Sequence, residues 1–143
     1  MTAAVETTVP QALGRLRVEL NESFERVSRE LGLSAQQAEL LCAAMRPAAV
    51  GDVARVLHCD RSNVTRLADR VAERGLLTRR PGDTDGRVTV LELTPEGDLL
   101  ARRFIAALES ELDDLLATWT ERRKRDAVRL LGAVSDALRA AAA

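Results

Sequence analysis

Residues 50–97 read VGDVARVLHCDRSNVTRLADRVAERGLLTRRPGDTDGRVTVLELTPEG, and the spacing of caps and turns in this stretch decides the fold. Val50–Leu57 suits a short helix. A tight turn follows, and Asp60 or Arg61 opens a second helix that Gly75 closes. At about 100° per residue, Val64, Leu67, Ala68 and Val71 of that second helix share one face. Ser62, Thr65, Arg66, Asp69, Arg70 and Glu73 cover the opposite one. Leu76–Arg80 and Arg87–Leu93 have strand character, and Pro81-Gly82-Asp83-Thr84-Asp85-Gly86 between them predicts a hairpin turn. The stretch therefore predicts a helix-turn-helix followed by a β-hairpin.

The flanks are helical. Thr8, Pro10 and Gln11 mark a helix start. Leu13, Leu16, Leu20, Phe24, Val27 and Leu31 then recur at helical spacing until Gly32. Ser34-Ala35-Gln36-Gln37 is a capping box for a helix expected to run to about Arg46, with Pro47 stopping it. After the hairpin, Thr94 caps a long helix with Pro95 at its first position. Ala101, Ile105, Leu108, Leu112, Leu115 and Trp119 form a heptad seam there. Beyond a break near Thr120, Ala127, Leu131, Val134, Leu138 and Ala141 repeat it. One small lobe offers little core to three such stripes, so the two chain ends are expected to intertwine in a two-fold dimer.

The expected fold is mainly α with a small β-hairpin wing, a winged helix-turn-helix joined to a helical dimerisation region. Residues 1–32 supply the N-terminal helix of that region, 33–97 the winged helix-turn-helix lobe, and 98–143 the C-terminal helices.

Composition narrows the function classes. The chain has 143 residues, 46% hydrophobic and 30% charged, with a formal net charge of −1. From Arg55 through Arg87 eight Arg face five acids, so this segment carries +3 and the remainder −4. A basic face on an acidic frame steers a polyanion to one side. No apolar run is long enough for a membrane span. The first nine residues lack a secretory pattern, and Cys42 and Cys59 are too few for a disulfide scaffold, so a cytoplasmic protein is expected. His58 is the single His, and the two Cys lie 17 positions apart, so neither a metal site nor another cofactor is expected. An enzyme would need a nucleophile beside a base or a paired-carboxylate cleft. The sequence offers neither, and the expectation is no enzyme.

The polar face of the 61–74 helix suits a DNA major groove. Ser62, Asn63 and Thr65 are short enough for close approach. Asn63 suits adenine, and Arg66 or Arg70 suits guanine or a phosphate, with Arg61 beside them. The wing, about 77–93, carries Arg79 and Arg80 on its rising strand and Arg87 at its tip. Asp85 is placed to accept bonds from the turn backbone or to hold Arg87. An Arg at a wing tip suits the negative potential of a narrow minor groove. A winged helix used only for protein association is the rival reading. It predicts neither duplex binding nor steep salt dependence.

Several pieces in order resemble the MarR family of bacterial transcription regulators. They are Leu33-Ser34-Ala35-Gln36-Gln37, Asp52-Val53-Ala54-Arg55-Val56-Leu57, Asp60-Arg61-Ser62-Asn63-Val64-Thr65-Arg66-Leu67-Ala68-Asp69-Arg70, Gly75-Leu76-Leu77-Thr78-Arg79-Arg80, Asp85-Gly86-Arg87 and Leu93-Thr94-Pro95-Glu96-Gly97. The resemblance implies a homodimeric repressor on a pseudo-palindromic double-stranded DNA operator, with a recognition helix in each major groove and a wing in each flanking minor groove. Asp85 and Arg87 fall where the family's wing Asp and minor-groove Arg fall. Gly86 stands where the family often has another Arg, which removes one wing charge. The resemblance also implies release by a small anionic or hydrophobic effector between the dimer region and the DNA-binding lobe. Arg17, Asn21, Phe24, Leu41, Met45 and Arg46 are the candidate pocket residues. Without Tyr, and with only Phe24, Phe104 and Trp119 aromatic, the chain furnishes an aromatic-stacking pocket poorly. Cys42 and Cys59 read as buried packing thiols, and peroxide-sensing members carry their Cys in a first helix that has none here.

Overall fold

The structure, a computed structural model, describes residues 8–142. Contacts divide the chain into two compact units, one reaching Leu108 and the other starting at Glu109. The first unit holds helices α1 (Val9–Glu30), α2 (Ala35–Ala43), α3 (Val50–Val56) and α4 (Arg61–Glu73), with most of α5 (Pro95–Leu115). It also holds strands β1 (Ala48–Ala49), β2 (Leu77–Pro81) and β3 (Thr89–Leu93), in the antiparallel order β1-β3-β2.

Local chemistry sets the helix ends. Thr8 accepts from the Gln11 N–H, and the Gln11 side chain bonds back to the Thr8 N–H. Ser34 and Gln37 make the same reciprocal pair at α2. Three helices end in the Schellman pattern, in which the chain turns back through one left-handed residue. After α1 that residue is Gly32, and the Leu33 N–H reaches the Ser28 carbonyl at 2.9 Å. After α4 it is Gly75, and after α3 it is His58 at φ 52°.

The core gathers one face of each element. Val27 of α1, Leu40 and Leu41 of α2, Val53 of α3, Val64 and Val71 of α4, Leu91 of β3 and Phe104 of α5 are at most 2% exposed. Phe104 meets Phe24 edge-on, with ring centroids 4.6 Å apart. The apolar stripe read along α4 is the one that is buried. Phe104 lies off the expected α5 seam, yet it fills the core. Ala101 of that seam is buried too, while Ile105, Leu108 and Leu112 are half-buried.

Four elements depart from the sequence expectation. α2 stops at Ala43, three residues before Arg46, because the chain must extend through Pro47 to lay Ala48 and Ala49 against Leu91 and Val90. That two-residue β1 had no strand signature. The rising strand of the hairpin is shifted one residue, and the returning strand begins at Thr89 rather than Arg87. Arg87 thus lies in the turn, clear of the ladder.

The second unit comprises the end of α5 and helix α6 (Glu121–Ala142), capped by the Thr120 hydroxyl, which accepts from the Arg123 N–H at 3.2 Å. The Arg123 guanidinium lies 4.2 Å over the Trp119 ring. α6 buries none of its residues, and Leu131 and Leu138 of its expected seam are 51% and 65% exposed.

Candidate nucleic-acid interface

α4 is anchored from below and free above. Val64, Leu67, Ala68 and Val71 hold it to the core, while Arg61, Ser62, Asn63, Thr65, Arg66 and Arg70 are exposed. Its first turn is organised by Asp60. One carboxylate oxygen of Asp60 accepts from the Asn63 backbone N–H at 2.8 Å and from the Ser62 hydroxyl at 2.5 Å. The other accepts from the Asn63 side-chain amide at 3.2 Å. The Ser62 hydroxyl bond, followed by the Asn63 backbone bond, holds the Asp60 carboxyl below its ordinary range. The Asn63 side-chain oxygen in turn accepts from the Arg66 guanidinium.

The hairpin is closed by the Gly82 N–H donating to the Val88 carbonyl at 2.8 Å. Asp85 accepts from the Arg87 backbone N–H at 3.0 Å, which is the first of the two roles expected for it. The three wing arginines differ sharply. Arg80 donates to Glu92 at 3.0 Å and to Asp83 at 3.0 Å, and these partners raise its already high pKa. Arg79 is ion-paired to Asp69 of α4. Arg87 has no acidic partner among the described residues, and neither have Arg61 and Arg70. Among the arginines of α4 and the wing, Arg61, Arg66, Arg70 and Arg87 thus carry no ion pair with a described residue, whereas Arg79 and Arg80 do.

α3, α4 and the wing enclose a cleft of about 440 Å³. Arg55, Arg61, Thr65, Arg79 and Arg87 line it, so α4 and wing cations face one space. Arg55 was not among the residues singled out from the sequence. Its signal was faint, a lone Arg on a short helix, and it is ion-paired to Asp52.

The six candidate effector residues differ in exposure. Leu41 is fully buried in the core, Arg17, Asn21 and Arg46 are exposed, and Met45 is half-buried. Phe24 does line a cavity of about 400 Å³, together with Glu39, Cys42, Ala43, Val56 and Leu57. Burial, reinforced by the nearby Glu39 charge, raises the Cys42 thiol pKa. Cys42 and Cys59 are both half-buried free thiols rather than fully buried ones. His58 is exposed. Among the described residues no group of three or more His, Cys, Asp or Glu is placed to hold a metal, and no helix is long and apolar enough to cross a membrane.

The MarR family model matches residues 33–89, the span from the α2 capping box to the start of β3. The chain is 28% identical over 127 residues to the HTH-type transcriptional regulator PecS of Dickeya dadantii, covering 85% of this chain and 76% of that one. It is 24% identical over 136 residues to the HTH-type transcriptional repressor MdtR of Bacillus subtilis, covering 89% and 88%. Over residues 33–89 the chain is thus similar to the MarR family. The crystal structure of CouR from Rhodococcus jostii bound to p-coumaroyl-CoA has the same fold, with a TM-score of 0.75 at 19% identity over 93% of this chain and 95% of that one. Within the MarR matched span fall Asp60, all of α4, β2 and the wing turn with Arg87. The cationic face just described is thus part of the segment by which the MarR family is identified.

Proposed function

We propose that this chain is a DNA-binding transcription regulator of the MarR family and acts as a homodimeric repressor on a pseudo-palindromic operator. Each α4 enters a major groove and each wing turn enters the flanking minor groove. One observation carries this reading: Arg61 of α4 and Arg87 of the wing turn line one cleft, and Arg66 and Arg70 stand exposed on α4, while the other side of α4 is packed into the core. A solvated helix face needs no such agreement between a helix and a hairpin turn. Four cations per protomer give a dimer about eight phosphate-reaching charges, enough for strongly salt-dependent binding.

Dimerisation is supported by the apolar residues that each chain leaves uncovered. Val128, Leu130, Leu131 and Leu138 of α6 are all more than half exposed, and α1 exposes Val9, Leu16, Val18 and Leu20. So many large apolar groups in helical stripes suit a second copy of the chain.

Repression is relieved by a small molecule in the cavity beside Phe24. Its walls are largely apolar, with His58 and one carboxylate, Glu39, as the polar members, and the carboxylate disfavours an anion. A neutral or apolar ligand therefore fits this cavity better than an anionic one. The duplexes that the protein enriches from DNA around its own gene test the reading as a whole. The expected result is one enriched motif with two-fold symmetry. Enrichment of no motif would contradict it. On that motif, Arg87→Ala should weaken binding by about 1–3 kcal/mol in fluorescence anisotropy. An unchanged affinity removes Arg87 from the interface.

A further inference from the structure

We infer that Asn63 is a positioning residue for Arg66 and does not read a base itself. This rests on the reading of α4 as a major-groove helix. Recognition of adenine by Asn uses the side-chain oxygen and nitrogen together, against N6 and N7 of the base. Each already holds one partner here, and together these fix the plane of the amide. The Asn63 nitrogen donates to Asp60 at 3.2 Å, and its oxygen accepts from the Arg66 guanidinium.

The amide cannot turn over at low cost. Reversed, its NH2 would face the Arg66 cation and its oxygen would face the Asp60 carboxylate, and both contacts would be repulsive. Asp60 is itself fixed by the Ser62 hydroxyl and by the α4 backbone N–H of Asn63. The chain of contacts therefore runs from the helix cap through Asn63 to Arg66. One guanidinium nitrogen of Arg66 is held, and the rest of its fork remains to meet the O6 and N7 acceptors of a guanine. Holding a long side chain in one direction before it binds reduces the rotamer entropy lost on binding. Asp60 and Asn63 would thus set specificity at a base pair that neither of them touches.

The test compares the full-length wild type, Asn63→Ala, Arg66→Ala and the double variant, each selecting from the same random duplex pool. Anisotropy on the wild-type consensus follows. Asn63→Ala leaves the backbone cap from Asp60 in place, so α4 stays formed. The expected result is that both single variants lose preference at the same half-site base pair. Arg66→Ala should weaken consensus binding roughly 5- to 150-fold. Asn63→Ala should weaken it less, and the double variant should bind no worse than Arg66→Ala alone. Loss of preference at two different base pairs, with the fold-changes multiplying in the double variant, would make Asn63 a reader in its own right and overturn the inference. That outcome leaves the α4 reading intact. A wild type that enriches no motif overturns both.

Discussion

His58 occupies the left-handed position after α3 that Gly32 and Gly75 occupy after α1 and α4. A side chain at φ 52° crowds its own carbonyl, a cost of about 1–2 kcal/mol that glycine escapes, although glycine gives back part of this as chain entropy. His58→Gly should therefore raise stability by about 0.5–1 kcal/mol in urea unfolding, and a loss of stability would contradict the strain. Gly97 is the opposite case. A β-carbon there would lie 1.9 Å from the Leu76 carbonyl oxygen, a backbone atom with little room to move. Gly97→Ala should cost at least about 2–3 kcal/mol by the same measurement. An unchanged midpoint would mean that α5 does not pack this closely on the base of the wing. Asp60 carries the pH prediction. Its folded pKa lies below the unfolded one, so its stabilisation is complete above the unfolded value and is lost as pH falls through the lowered folded value. Wild type should exceed Asp60→Ala in stability at neutral pH, as for other N-caps, and the gap should narrow under acid. A gap that does not change with pH would contradict an ionised cap. The cap roles of Thr8 and Ser34 were legible in the sequence because each partner lies three positions away, whereas the sequence alone does not decide whether Asp60 or Arg61 starts α4. The fates of Arg79 and Arg80 were not legible, because their partners Asp69 and Glu92 come from other elements brought close only by folding.

At the scale of elements, the pair between Arg79 of β2 and Asp69 of α4 ties the wing to the helix beside it. Both side chains are about two-fifths exposed, so the pair adds little to folding, at most about 1 kcal/mol. Its consequence lies in the angle between helix and wing. Asp69→Asn should leave the melting temperature nearly unchanged and weaken duplex binding severalfold, since a looser wing must be ordered when it binds. Equal affinity in the variant would show that the wing is held by the sheet alone. α4 and its buried stripe were readable because a 3.6-residue period over 13 residues leaves little choice of face. β1 was unreadable for a related reason. Two alanines carry neither period nor propensity, and only the edge of β3 makes them a strand. The early end of α2 follows from that same pairing.

For the whole molecule, the net charge of −1 hides a division between a basic reading face and an acidic remainder. The apolar stripes of the two chain ends were legible as periodic patterns, but a single chain does not reveal what covers them. Light scattering at micromolar concentration should give twice the monomer mass of 15.6 kDa, and a monomer mass would sink the dimer. The account rests most heavily on the claim that exposed arginines of α4 and the wing turn grip duplex DNA. Its most direct test is the affinity for the selected operator, followed by anisotropy from about 50 to 200 mM salt. The account predicts a fall of about a thousandfold or more, as for proteins that neutralise six to ten phosphates. An affinity that stays level across that range would contradict it.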